Sequence, residues 1–292
     1  MLTSLALIFL LGIILGGIFE KLKLPRLLGM IITGIILGPY VLNIIDPSIL
    51  SISGDLREIA LIIILLRAGL AMDIESLKKV GRPAILMCFV PALFEITAFI
   101  LFAPMLLNIK VIDAAIMGTV IAAVSPAVIV PKMLNLIEKG YGKTHSIPKL
   151  IMAGASADDV FVIVLFTTFT GIAQGGTLSP LSILQIPISI VLGIILGAFT
   201  GYILSKIFKH LHIRDSIKVI ILLSSSFLML TAENLLKGII PLSGLLGTMA
   251  IGIALLKDYP SLTKRLSIKL SKLWVAAEIL LFVLVGAAVN IK

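Results

Sequence analysis

Charge and cysteine are both scarce in this chain, and each shortage excludes a class of protein. Only 13% of its 292 residues are charged, about half the share usual in a soluble domain. Cys88 is the single cysteine, which rules out an internal disulfide framework and a thiolate metal cluster. No phosphate-binding glycine loop, zinc motif or nucleophile triad occurs, so an enzyme is not expected and no cofactor is implied. The net charge of +9 would point to nucleic acid in a soluble protein, but its distribution along the chain gives it another meaning.

Apolar residues are what the chain has in quantity: 59% of it is hydrophobic and the mean hydropathy is +1.20. Apolar runs of about 20 residues recur, and nothing alternates as a lipid-facing barrel strand would. The expected fold is an all-α polytopic membrane protein of ten spans. They fall at 2–19, 27–45, 55–72, 80–103, 111–136, 147–173, 183–207, 216–236, 240–256 and 268–290. The segment from Met1 to Phe19 lacks the basic start and small-residue exit of a signal peptide, so it reads as a retained first span.

The connections alternate in charge. Lys21, Lys23 and Arg26 follow the first span, Lys78, Lys79 and Arg82 the third, and Lys132, Lys139, Lys143 and Lys149 surround the end of the fifth. Lys206, Lys209, Arg214 and Lys218 follow the seventh, and Lys257, Lys264, Arg265, Lys269 and Lys272 the ninth. The opposite connections hold only Arg57, Lys110, Lys237 and Lys292. Basic loops stay in the cytoplasm, so the N-terminus is expected outside a cytoplasmic (inner) membrane. The basic excess orients the protein in its bilayer and implies no nucleic acid.

Two features then coincide in depth. The fifth span contains Ser125-Pro126 near its middle and Pro131 beyond it, and proline removes an amide donor and clashes with the preceding turn. A kink or break is expected there. Asp158 and Asp159 lie near the middle of the sixth span, where each ionised carboxylate costs about 2.5–3.5 kcal/mol on insertion scales. Freed carbonyls beside paired acids form a mid-membrane cation site of the kind transporters use. Water exclusion favours the protonated acid and a bound cation favours the carboxylate, so one site exchanges one for the other. The plainer readings are a lipid-tolerated kink at Ser125-Pro126 and a capping box between Ser156 and Asp159. Adjacent acids point about 100° apart on a helix, giving them different partners.

Two motifs recur. Leu27-Leu28-Gly29-Met30-Ile31-Ile32-Thr33-Gly34-Ile35 returns as Leu245-Leu246-Gly247-Thr248-Met249-Ala250-Ile251-Gly252-Ile253, and Gly69-Leu70-Ala71-Met72-Asp73-Ile74 returns as Gly286-Ala287-Ala288-Val289-Asn290-Ile291. Leu27 to Leu245 is 218 residues and Gly69 to Gly286 is 217. Seven spans separate each pair, so the copies are inverted in the membrane, a secondary-transporter signature. A second copy of spans four to six would fall beyond Lys292, leaving the chain about three helices short of a complete inverted repeat.

Arg67, Glu95, Glu233 and Glu278 are further charges in or near spans. Each either lines an ion path or pairs within the scaffold, and Glu278 is nearest mid-depth. Gly-Ile-Ile-Leu-Gly occurs at 12–16, 34–38 and 193–197. Its spacing places both glycines on one helix face, for scaffold packing or for a homodimer contact. His145, His210 and His212 fall in inner connections and read as solvated residues.

In this order and spacing, Leu66-Arg67-Ala68-Gly69-Leu70-Ala71-Met72-Asp73, Ser125-Pro126-Ala127-Val128-Ile129-Val130-Pro131, Ala157-Asp158-Asp159-Val160 and Leu281-Phe282-Val283-Leu284-Val285-Gly286 resemble the monovalent cation:proton antiporter superfamily, the sodium/proton exchanger-like proteins. Gly154-Ala155-Ser156-Ala157 before the Asp pair is closer to its two-aspartate branch than to the animal-type Glu-Ser-Asn-Asp pattern. The resemblance implies about thirteen helices in the full fold, inverted repeats, and a homodimer formed through scaffold helices. It implies cation and proton binding by Asp159, support from Asp158, and no resident metal beyond the transported Na⁺ or K⁺. Ser125 and Pro126 would line the helix break, with Ser156, Glu278 and Arg67 as accessories. The expected division is scaffold over 1–78, first-repeat core over 79–173, a linker helix over 174–213 and second-repeat scaffold over 214–292, with the second-repeat core absent. The rival functions are a gated cation channel on the same fold and a truncated, non-transporting fragment.

Overall fold

The computed structural model describes residues 1–71, 82–87, 89–142, 147–173, 180–211, 213–236 and 239–290. Within its helices some side chains, including those of Pro126, Ser156, Asp158 and Asp159, lie outside the description. So do Met72-Asp73-Ile74, Cys88, His145, His212 and the connection over 174–179. The regular structure is helical: α1 (Leu2–Lys21), α2 (Arg26–Leu37), α3 (Pro47–Ser51), α4 (Ser53–Ala71), α5 (Arg82–Leu86), α6 (Val90–Leu107), α7 (Val111–Ala122), α8 (Pro126–Glu138), α9 (Ile147–Ala173), α10 (Pro180–His210), α11 (Asp215–Leu236), α12 (Gly244–Asp258) and α13 (Pro260–Ala287). Five of the described helical stretches are long and apolar enough to cross a bilayer: Leu2–Lys21, Val90–Leu107, Pro187–His210, Asp215–Leu236 and Pro260–Ala287. Arg26–Leu37 and Val111–Ala122 are shorter apolar helices.

Each expected span holds at least one helix, and the boundaries that differ have local causes. The fourth span, expected over 80–103, is divided. α5 ends at Leu86 and α6 restarts at Val90 with Pro91 in its first turn, where a missing amide is harmless. The ninth begins at Gly244 rather than 240, capped by the Ser243 hydroxyl, which accepts from the Leu246 amide at 3.4 Å. The tenth was expected over 268–290 behind a basic loop. Instead α13 starts at Pro260, with only Tyr259 between it and α12, and carries Lys264 and Arg265 on a helical extension.

The chain forms two compact units. The first comprises Met1–Ile63 and Ile268–Lys292. In it α1 packs on α2, and α2 crosses α13 at backbone contact. A Cβ on Gly34 would overlap the Val283 carbonyl, and one on Gly286 would overlap the Ile31 carbonyl. Only glycine permits so close a crossing.

The second unit comprises Ile64–Ser267. Here α12 meets the end of α4 in the same way. A Cβ on Gly252 would stand 2.8 Å from the Gly69 carbonyl carbon and 2.9 Å from the Leu66 oxygen, and one on Gly69 would overlap the Met249 carbonyl. These contacts map onto those of the first unit: Gly34 and Ile31 become Gly252 and Met249 on adding 218, and Leu66 and Gly69 become Val283 and Gly286 on adding 217. The packing thus carries the repeat independently of the residue matches. In both units the partner helices come from opposite copies of the repeat.

Along α10, Gly193, Gly197 and Gly201 lie against Ser243, Gly247 and Ile251 of α12. The constant spacing makes these two helices parallel. Their ends are tied by Ser205 and Lys209, which donate to Asp258 at 2.7 and 2.8 Å. Buried Lys218 of α11 caps α10, donating to the Phe208 carbonyl at 3.2 Å, a favourable place for a cation. All three Gly-Ile-Ile-Leu-Gly motifs make contacts within the chain: Gly12 on Ile279, Gly34 on Val283, and Gly193 on Ser243.

Candidate functional site: a broken helix beside the paired aspartates

The expected interruption of the fifth span falls at Ala123-Val124-Ser125, between α7 and α8. Ala123 (φ −61°, ψ 117°) and Ser125 (φ −72°, ψ 111°) are extended. Pro126 opens α8 at the position where its missing amide matters least. The Ser125 carbonyl accepts from the Val128 and Ile129 amides at 3.1 and 3.2 Å, so the second helix starts immediately after the break. The carbonyl end of α7 and the amide end of α8 meet here, one favouring cations and the other anions. Such an arrangement inside an apolar span can bind an ion on backbone dipoles.

Packing brings this break to the middle of α9. Ala122, the last residue of α7, is buried in one cluster with Ala92 and Ile96 of α6 and Val162 of α9. Phe161, Leu165 and Phe169 of α9 pack against the same cluster, and the Phe161 ring lies 6.1 Å from that of Phe89. Val162, on the α9 face that meets the α7 end, follows Asp158 by one helical turn in the sequence. One turn before Asp158, Gly154 approaches the chain just after α5, where a Cβ would stand 3.2 Å from the Met87 carbonyl oxygen. The Asp helix is therefore fixed by close packing on both sides of the pair.

The accessory residues divide. Arg67 of α4 donates from Nη2 to the Glu138 carboxylate at the end of α8, at 3.2 Å. The sequence reading did not single out Glu138, though an acid as the last residue of a helix was a usable signal, because it opposes the helix dipole. Glu233 of α11 accepts from the Gly244 amide at 2.7 Å and so caps α12. Glu278 sits half-buried on α13 in the first unit. Glu95 is exposed on α6. His210, the last residue of α10, is exposed at its end.

Apolar spans, a repeat built into the packing and a helix broken beside paired acids define an all-helical membrane protein of the transporter type. The chain belongs to the sodium/hydrogen exchanger family of the monovalent cation:proton antiporter superfamily: the family model "Sodium/hydrogen exchanger, transmembrane" matches residues 5–292. Human sodium/hydrogen exchanger 9B1 is 33% identical over 305 residues, covering 100% of this chain and 58% of the relative. Mouse sodium/hydrogen exchanger 9B2 is 30% identical over 302 residues, covering 99% and 54%. The chain thus spans a little over half the length of these relatives. Its fold is that of the sodium proton antiporter MjNhaP1 from Methanocaldococcus jannaschii, with a TM-score of 0.79 at 23% identity over 99% of this chain and 70% of that one.

Proposed function

We propose that the chain carries the ion-binding half of a secondary antiporter exchanging Na⁺ or K⁺ for protons by alternating access at Asp158 and Asp159. The observation that supports this most directly is the packing of the α7 end, beside the break at 123–125, against the α9 face one turn from Asp158. Asp159 is the exchanging carboxylate and Asp158 its support, with Ser125, Pro126 and Ser156 at the break and helix turn beside them. In the protonated state the pair is neutral in an apolar span. A bound cation replaces the proton and leaves the charge compensated, so neither state strands an uncompensated charge in lipid. Residues 1–78 and 214–292 act as scaffold and 79–173 as the first-repeat core. The protein works in the cytoplasmic membrane with its N-terminus outside, as a homodimer through scaffold helices.

The test is dye-monitored proton flux in everted vesicles containing the gene product, with and without added Na⁺ or K⁺. The expected result is ion-driven proton movement that Asp159→Asn abolishes. Flux indifferent to that substitution would remove Asp159 from the site, and cation flux uncoupled from protons would identify a channel.

A further inference from the structure

We infer that Arg67 is a positioning residue that ties the second half of the broken helix to the scaffold, holding α8 in place for ion exchange. Its mechanical part stands on the contacts alone; its role in exchange rests on the antiport reading.

Three observations converge. Arg67 lies between Leu66 and Gly69, the two residues that lock the end of α4 against α12, so its backbone is held on a rigid crossing. Its partner Glu138 is the last residue of α8, whose other end is the break at Ser125. α8 is thus hinged at one end and held by an ion pair at the other. An acid at a helix C-terminus opposes the dipole, so Glu138 is poorly placed for helix stability and well placed for Arg67.

The repeat supplies the control. The residue equivalent to Arg67 in the other crossing is Leu284, 1% exposed. The glycine crossing itself therefore accepts a buried leucine and has no need of a cation. The Arg67 side chain is 11% exposed against 68% for Glu138. Exposed ion pairs contribute little, but here removing the acid leaves a largely buried guanidinium uncompensated. That asymmetry makes the pair a latch rather than surface decoration.

Hydrogen–deuterium exchange on the purified protein tests the mechanical part without any transport. Arg67→Leu copies the sister crossing and should fold. It should raise amide exchange over 126–138 about tenfold, equivalent to about 1.4 kcal/mol of local opening, while α10 and α12 keep their protection. Glu138→Gln should act in the same direction, and the reversed pair Arg67→Glu with Glu138→Arg should restore protection. Unchanged exchange over 126–138 in both single variants overturns the latch.

Flux in vesicles tests the rest. Arg67→Leu and Glu138→Gln should lower the maximal rate severalfold while leaving the half-saturating cation concentration unchanged, since neither touches the ion. A loosened α8 with unaltered flux would reduce the pair to a structural tie and overturn its part in exchange. Flux insensitive to Asp159→Asn would instead defeat the antiport reading, with the exchange data on α8 still deciding the latch.

Discussion

In the first unit Gly34 of α2 lies against the Val283 carbonyl of α13; in the second, Gly252 of α12 lies against the Leu66 carbonyl of α4. The backbone solution is shared and the side chains around it are not. Met30 is fully buried beside the first crossing, and its equivalent in the second is Thr248, also fully buried, whose hydroxyl has no partner among the described residues. Thr33 in the first donates to the Gly29 carbonyl at 2.8 Å, and its equivalent is Ile251. Leu284 in the first is replaced by Arg67 in the second. The glycines mark what the fold demands twice. Two of these departures, Thr248 and Arg67, put polar groups in the unit that also contains the helix break and the Asp helix, and one, Thr33 against Ile251, runs the other way.

The comparison is open to attack by substitution. The largest effect is expected at the glycines. Gly34→Leu and Gly252→Leu must each drive two helices apart at a backbone contact, at a cost of more than about 3 kcal/mol, and both should prevent recovery of folded protein in detergent. If only one copy suffers, the two crossings are not equivalent. Next comes exchange of the buried pair. Met30→Thr should cost about 2–4 kcal/mol through lost burial and an orphaned hydroxyl. Thr248→Val should stabilise by about 1 kcal/mol, because it removes that orphan at nearly constant volume. Urea- or heat-unfolding midpoints in detergent measure both, and opposite signs are required. The smallest effect belongs to the exposed pair in which Arg265 donates to Asp215 at 2.8 Å. Arg265→Ala should leave the unfolding midpoint nearly unchanged, and shift it less still in high salt.

Much of this frame was legible in the sequence. Pro126 announced a helix start inside an apolar span because a first turn is where proline's missing amide costs least. The repeat was legible because close crossings demand glycine at fixed positions in each copy. What the residues did not reveal was pairing. Gly34 and Gly286 belong to motifs already singled out, yet no local rule says that a helix of one copy crosses a helix of the other. The Arg67–Glu138 tie was invisible for the same reason, since its partners are separated by 71 positions. The helical extension of α13 was read as a loop because Lys264 and Arg265 break the hydrophobic run without breaking the helix. The division of the fourth span at Pro91 was available and was not used.

The claim on which the functional account stands is that proton and cation compete for one carboxylate in α9, beside the broken helix. Proton release on adding Na⁺ or K⁺ to purified protein in weakly buffered detergent tests it without needing transport. The account predicts saturable release that vanishes in Asp159→Asn and persists in Arg67→Leu. Release of the same size from the Asp159→Asn protein, or cation binding without any release, would contradict it.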